Sequence, residues 1–233
     1  MTTATAPRLR RPCLRHVLSI AVVSLLTMSA TRATAQDKEI DAKIAELTKA
    51  LKDKQPAVRM KAAEGLADLG TKAKAATPDL IAALYDPAQP VRVTALDALK
   101  KVNPTLHGPI AALMEPFAPA AVNINGSALA KLARLRSDAK PALPVVLNYF
   151  QVVSRSVADG AFLSRAHGEA HLVSVLEVMA SIAVDDPTVK QIMVTTVVRG
   201  QDNRGRTVAV KALVAAKDAK MTVPVLARVV QAD

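Results

Sequence analysis

The stretch DPAQPVRVTALDAL, Asp86 to Leu99, repeats much of DKQPAVRMKAAEGL, which stands 33 residues earlier. At that single offset Asp86, Val91, Arg92, Ala95 and Leu99 fall on Asp53, Val58, Arg59, Ala62 and Leu66. A period of this length constrains the fold more than any other feature of the chain. Each copy is a small supersecondary unit that cannot bury its apolar face alone, so successive copies must stack and share one core. The period continues with decreasing fidelity. Ala73, Lys74, Ala76 and Pro78 return as Ala139, Lys140, Ala142 and Pro144, and Ala95 and Leu99 return as Ala128 and Leu132. Arg206, Ala209 and Leu213 repeat Arg59, Ala62 and Leu66 at an offset of 147, which is 15 more than four periods.

Within each unit the apolar positions recur at three and four residues and never alternate over a useful length, so the units are helical. Val58, Ala62, Leu66 and Leu69 form one stripe, and Val91, Ala95, Leu99 and Val102 form the same stripe one unit later. The spacing predicts helices over 38–53, 56–69, 76–85, 88–102, 105–115, 122–136, 141–153, 169–183, 187–199, 204–216 and 221–231. Pro78, Pro144 and Pro224 are expected near helix starts, where a missing amide hydrogen costs little. The 15 surplus residues are expected as a loop over 154–168, between the two helices of the fourth pair.

These motifs resemble the HEAT repeat family, and in particular the short bacterial HEAT-like units related to those of phycobilisome lyases. The residues that carry the resemblance are the proline opening a first helix, the aspartate ending it and the Val-Arg pair opening the second: Pro78, Asp86, Val91 and Arg92, with Asp53, Val58 and Arg59 in the unit before. In the third unit Pro119 and Asn125 take the places of the aspartate and arginine. The resemblance implies an all-α fold, a right-handed α-solenoid of stacked antiparallel helix pairs. Residues 36–233 would then supply about five pairs and a terminal helix. It further implies that Asp53, Arg59, Asp86 and Arg92 form a structural hydrogen-bonded ladder between helix turns and neighbouring units.

The first 35 residues read as an export signal and not as part of that domain. Arg8, Arg10, Arg11 and Arg15 make a basic start, Val17 to Met28 an apolar middle, and Ala33 to Ala35 a small-residue cleavage site. The apolar run is shorter than the roughly 20 residues that span a bilayer. Arg10 to Arg15 also resemble a twin-arginine motif, with Cys13 where a large apolar residue is usual. Cleavage would place the mature chain in the periplasm or outside the cell, without its one cysteine, and so exclude disulfides and thiol chemistry. It would also remove five arginines and no acid, leaving 26 basic residues against 20 acidic ones. That modest excess, with aromatic residues at 2%, argues against a nucleic-acid partner, which calls for a clustered basic patch and stacking platforms.

A stack of helix pairs exposes its second helices on one concave side, where a protein partner can lie. With the core stripes removed, the outward positions there are Glu64, Asp97, Lys101, Arg134 and Lys211, of mixed sign early and positive later. The segment 154–168 offers Arg155, Phe162 and Arg165 as a further contact surface. The one grouping with metal-ligand chemistry is HGEAH, where His167 and His171 are four apart and Glu169 lies between them. It lacks the HExxH order, and His107 stands apart from it, so no metal or cofactor is expected. No Gly-rich phosphate loop, GxSxG elbow or Cys-His pair is present. The chain therefore reads as a non-enzymatic protein-binding or scaffold module. A binder of an acidic polymer or surface is the alternative, and a metal-dependent enzyme centred on His167 and His171 is a third.

Overall fold

Prolines and capping aspartates mark where this chain enters its helices. The computed structural model describes residues 37–114, 122–160, 165–200 and 202–232, and among these every regular element is a helix. The chain divides into two units, Met1–Glu46 and Leu47–Asp233. Residues 37–46 are helical in the first and begin α1, which covers 37–50. The second unit holds α2 (Pro56–Leu69), α3 (Thr77–Ala83), α4 (Gln89–Val102), α5 (Pro104–Met114), α6 (Val122–Leu135), α7 (Leu143–Ala158), α8 (Arg165–Ala183), α9 (Pro187–Arg199), α10 (Asn203–Ala215) and α11 (Ala219–Ala232). A proline occupies one of the first two positions of α2, α3, α4, α7 and α9. Asp186 and Asp202 cap α9 and α10 by accepting from the amides of Thr188 and Val189 and of Gly205.

Within the second unit, α3 packs on α4, α5 on α6, α7 on α8 and α9 on α10, and α11 closes against α9 and α10. Neighbouring pairs meet through their second helices, α2 on α4, α6 on α8 and α8 on α10, while α5 packs against both α4 and α6. The fold of this unit is an α-solenoid of stacked helix pairs, built from the register that the 33-residue period predicts. Leu66, Leu99 and Leu132, one period apart, are each completely buried. Ala62, Ala63, Ala95 and Ala98 are at most 2% exposed, and their small side chains let α2 and α4 approach closely. Among the described residues no helix is long and apolar enough to cross a membrane.

A positive φ recurs at some turns between pairs, though not at Asn103, one period after Gly70, where φ is −143°. Gly70, Arg136 and Lys217 take left-handed backbone angles, with φ of 56°, 49° and 53°. They occupy corresponding places, Gly70 to Arg136 at two periods and Gly70 to Lys217 at the offset of 147. Only the first is a residue that adopts this conformation without a Cβ penalty. The turn is therefore imposed on the other two by the packing of the helices on either side.

Two expectations need correction. Within the segment 154–168, expected as a loop, residues 154–158 continue α7 to Ala158 and residues 165–168 begin α8 at Arg165, while 161–164 lie outside the described residues. Val146, Tyr149 and Val153 are buried along one stripe of α7 that Val157 extends, so the helix has an apolar reason to continue. The surplus lengthens the fourth pair instead, α7 having 16 residues against 7 in α3, and α8 19 against 14 in α4. Pro224 lies inside α11 and not at its start. Asp218 sets an earlier start, its carbonyl accepting from the Thr222 amide at 2.9 Å.

Candidate functional site

Arg59 is the fourth residue of α2, and its guanidinium grips the turn that leads into α4 in the next pair. Nε donates to Asp86 Oδ2 at 2.6 Å and Nη2 to Oδ1 at 2.7 Å, a two-pronged charged contact. Nη1 donates to the carbonyls of Asp53 and Lys54 at 2.8 and 3.1 Å. The Asp86 carboxylate also accepts from the Ala88 amide at 2.8 Å. Both side chains are about nine-tenths buried. The hydrogen bond from Arg59 holds the Asp86 carboxyl below its usual pKa, and the reciprocal bond raises that of Arg59.

The next rung is weaker. Arg92 occupies the place of Arg59 one period later, but its Nη1 donates only to the carbonyls of Asp86 and Pro87, at 2.8 and 3.1 Å. Arg92 thus joins the ladder through backbone carbonyls and not through the Asp86 carboxylate, both of whose oxygens Arg59 already occupies. Position 119, where the next aspartate would stand, is proline and lies outside the described residues, as do the side chain of Asn125, the export segment and Gln36. Asp53 caps its own turn, accepting from the Gln55 amide at 2.8 Å. Late in the chain Lys190 reaches Asp218 at 3.2 Å, a bridge between α9 and the start of α11 that the sequence motifs did not announce.

Glu64, Asp97, Lys101, Arg134 and Lys211 are all exposed. Three of them come together: Glu64 and Asp68 from α2 line a groove of about 230 Å³ with Thr94, Asp97 and Lys101 from α4. Asp68 had no place among the predicted contacts, yet it precedes Lys101 by one period and so occupies the same helix face. Arg134 and Lys211 stand elsewhere, on α6 and α10, and Arg204 lines a second groove of about 350 Å³ with Glu177 and Thr207, between α8 and α10. Carboxylates thus dominate the groove at α2 and α4, whereas Lys131 and Arg134 on α6 and Arg204 and Lys211 on α10 are exposed cations. Arg155 is an exposed residue of α7; Phe162 and the side chain of Arg165 lie outside the described residues.

His167 and His171 do not share a surface. His167 is exposed, whereas His171 is 6% exposed in the packing of α7 and α8, with Nε2 2.6 Å from the Tyr149 hydroxyl. The two rings meet edge to face, centroids 5.7 Å apart. His171 is thus a core residue. Among the described residues no group of three or more His, Cys, Asp or Glu could hold a metal ion.

Burial lowers the pKa of His171, so the folded chain keeps its imidazole neutral under conditions where the unfolded chain, with a pKa near 6.5, takes up a proton. The stability that depends on this neutral ring falls as pH drops below about 7 toward the folded-state pKa. His107, lowered by burial and by Lys100, contributes with the same sign. Thermal melts at pH 7.5 and 5.5 are expected to show a lower midpoint at the acid value, with a smaller difference in a folded His171→Gln variant. An unchanged difference in that variant would remove His171 from the account.

Residues 23–115 match the family model for HEAT repeats, a span that begins inside the predicted export segment and ends just after α5. No curated protein and no solved structure matches the chain. HEAT repeats commonly mediate protein interactions or scaffolding and are usually non-enzymatic.

Proposed function

We propose that the chain is an exported, non-enzymatic module that binds or scaffolds another protein along the exposed sides of its second helices, a reading supported by the match of residues 23–115 to the model for HEAT repeats. The observation that carries this reading is the groove between α2 and α4, where Glu64, Asp68, Asp97 and Lys101 converge from two neighbouring repeats. A concavity shared between repeats suits an elongated partner better than a small molecule with one reacting centre. The exposed charges add an orientation. A partner carrying basic residues opposite α2 and α4 and acidic residues opposite α6 and α10 meets opposite charge at both places, and reversing it meets like charge.

Reversing Lys101, Arg134 and Lys211 together to glutamate is expected to weaken capture of the native protein partner from an envelope fraction at least tenfold, with helix content unchanged by circular dichroism. Undiminished capture by the folded variant would move the site off the second helices. Affinity that collapses between low and moderate salt, for nucleic acid or an acidic glycan, would favour the acidic-polymer reading. Export is a separate part of the proposal, supported by the basic, apolar and small-residue order of the first 35 residues. N-terminal sequencing of the protein in the envelope fraction is expected to start at or near Gln36. A retained Met1 would remove export from the reading.

A further inference from the structure

We propose that the groove bounded by α7, α8, α9 and the start of α10 is a binding site for a small anionic amphiphile, a carboxylate carried on an alkyl chain. The groove follows from the lengthened fourth pair. Helices of 16 and 19 residues lie against a following pair of 13 and 13. The shorter pair covers them only in part. Leu176 is buried at 3% exposure, whereas Phe150, Val157, Leu172 and Val173 remain half-exposed along the same groove. These five side chains make a mostly apolar cavity of about 310 Å³, at the lower end of the range for small-ligand pockets.

The polar groups at its edge select the head group. The hydroxyls of Thr195 and Thr196 donate to the carbonyls of Gln191 and Ile192, at 2.9 and 2.8 Å. Asp202 turns its carboxylate into the cap of α10, Oδ2 accepting from the Gly205 amide at 2.7 Å. The positive end of that helix offsets much of its charge. Glu169, also on the groove's edge, has a partner already and is not free for a ligand. Arg199, the last residue of α9, is exposed at the groove, and among the described residues no ion pair occupies it. A guanidinium beside an apolar cavity matches a carboxylate head with an alkyl tail, since its planar fork accommodates both carboxylate oxygens. The neighbouring Asp202 and Glu169 favour one negative charge over several.

This inference goes beyond the protein-binding reading and stands separately from it, because none of Lys101, Arg134 and Lys211 lines the groove. The test is calorimetric titration of the full chain with decanoate below its micelle concentration. Saturable binding of one decanoate per chain is expected, weakened at least tenfold by Arg199→Glu and also by Leu172→Gln, with both variants folded by circular dichroism. Decanol, which has the tail without the charge, is expected to bind more weakly and to be indifferent to Arg199→Glu. Absence of saturable decanoate binding, undiminished binding by the folded Arg199→Glu variant, or tighter binding of decylammonium than of decanoate would each overturn the proposal.

Discussion

Replacing Arg59 with alanine is expected to lower the melting temperature of the domain by on the order of 10 °C, the larger of two unequal ladder effects. The physical reason is what remains behind. Asp86 would stay about nine-tenths buried with its carboxylate oxygens stripped of their guanidinium, and the carbonyls of Asp53 and Lys54 would lose a donor. An orphaned buried charge costs more than the pair contributed. Arg92→Ala, by contrast, removes a donor from two carbonyls and leaves no carboxylate unpaired, so a fall of only about 2–3 °C is expected. Melting curves of the two variants side by side decide the matter. Equal shifts would mean that the repeated arginine acts through something common to both units, and not through Asp86.

The same contact carries a pH signature. A folded-state carboxyl with a depressed pKa contributes stability above its unfolded value, about 3.9, and loses it as pH falls through the folded-state value. Wild type should therefore lose stability in this acid range more steeply than Arg59→Ala, in which Asp86 has no guanidinium to hold its proton off. Parallel acid titrations of the two proteins would remove this pair as the cause.

Leu99→Ala is expected to cost about 2–5 kcal/mol in urea unfolding, against less than about 0.5 kcal/mol for Glu64→Ala on an exposed face. Leu99 is completely buried in α4, which packs against α2, α3 and α5. Truncating its isobutyl group to methyl removes transfer energy and leaves a cavity in a packed core. A loss below about 1 kcal/mol would show that neighbouring repeats slide together to close the gap, and that the stack is softer than its burial implies.

Much of the architecture was legible because a stacked repeat writes each structural demand several times. One leucine at a three-and-four spacing is weak information, but Leu66, Leu99 and Leu132 at one offset tie the helix face, the period and the core together, and all three are buried. The outward charges follow from the same register, which is why Glu64, Asp97 and Lys101 meet in one groove. Where the period lapsed, the reading weakened. The surplus of the fourth unit looked like a loop because it broke the repeat, although Val153 and Val157 continued the apolar stripe of α7.

By itself the sequence determined the helical units, their period, the buried stripe and the side on which charges stand, since these depend on local periodicity and on the exclusion of apolar groups from water. Only the tertiary structure decided who pairs with whom. Asp86 lies nearer in sequence to Arg92, six residues away, than to Arg59, 27 away, yet α2 packed on α4 brings the distant guanidinium to its carboxylate. Packing likewise sends His171 into the core and His167 to the surface, and holds Arg136 and Lys217 at a positive φ that glycine adopts without penalty. Partner choice among charged groups, burial of a polar ring and strain at a turn are set by distances across the stack, which a one-dimensional pattern does not contain.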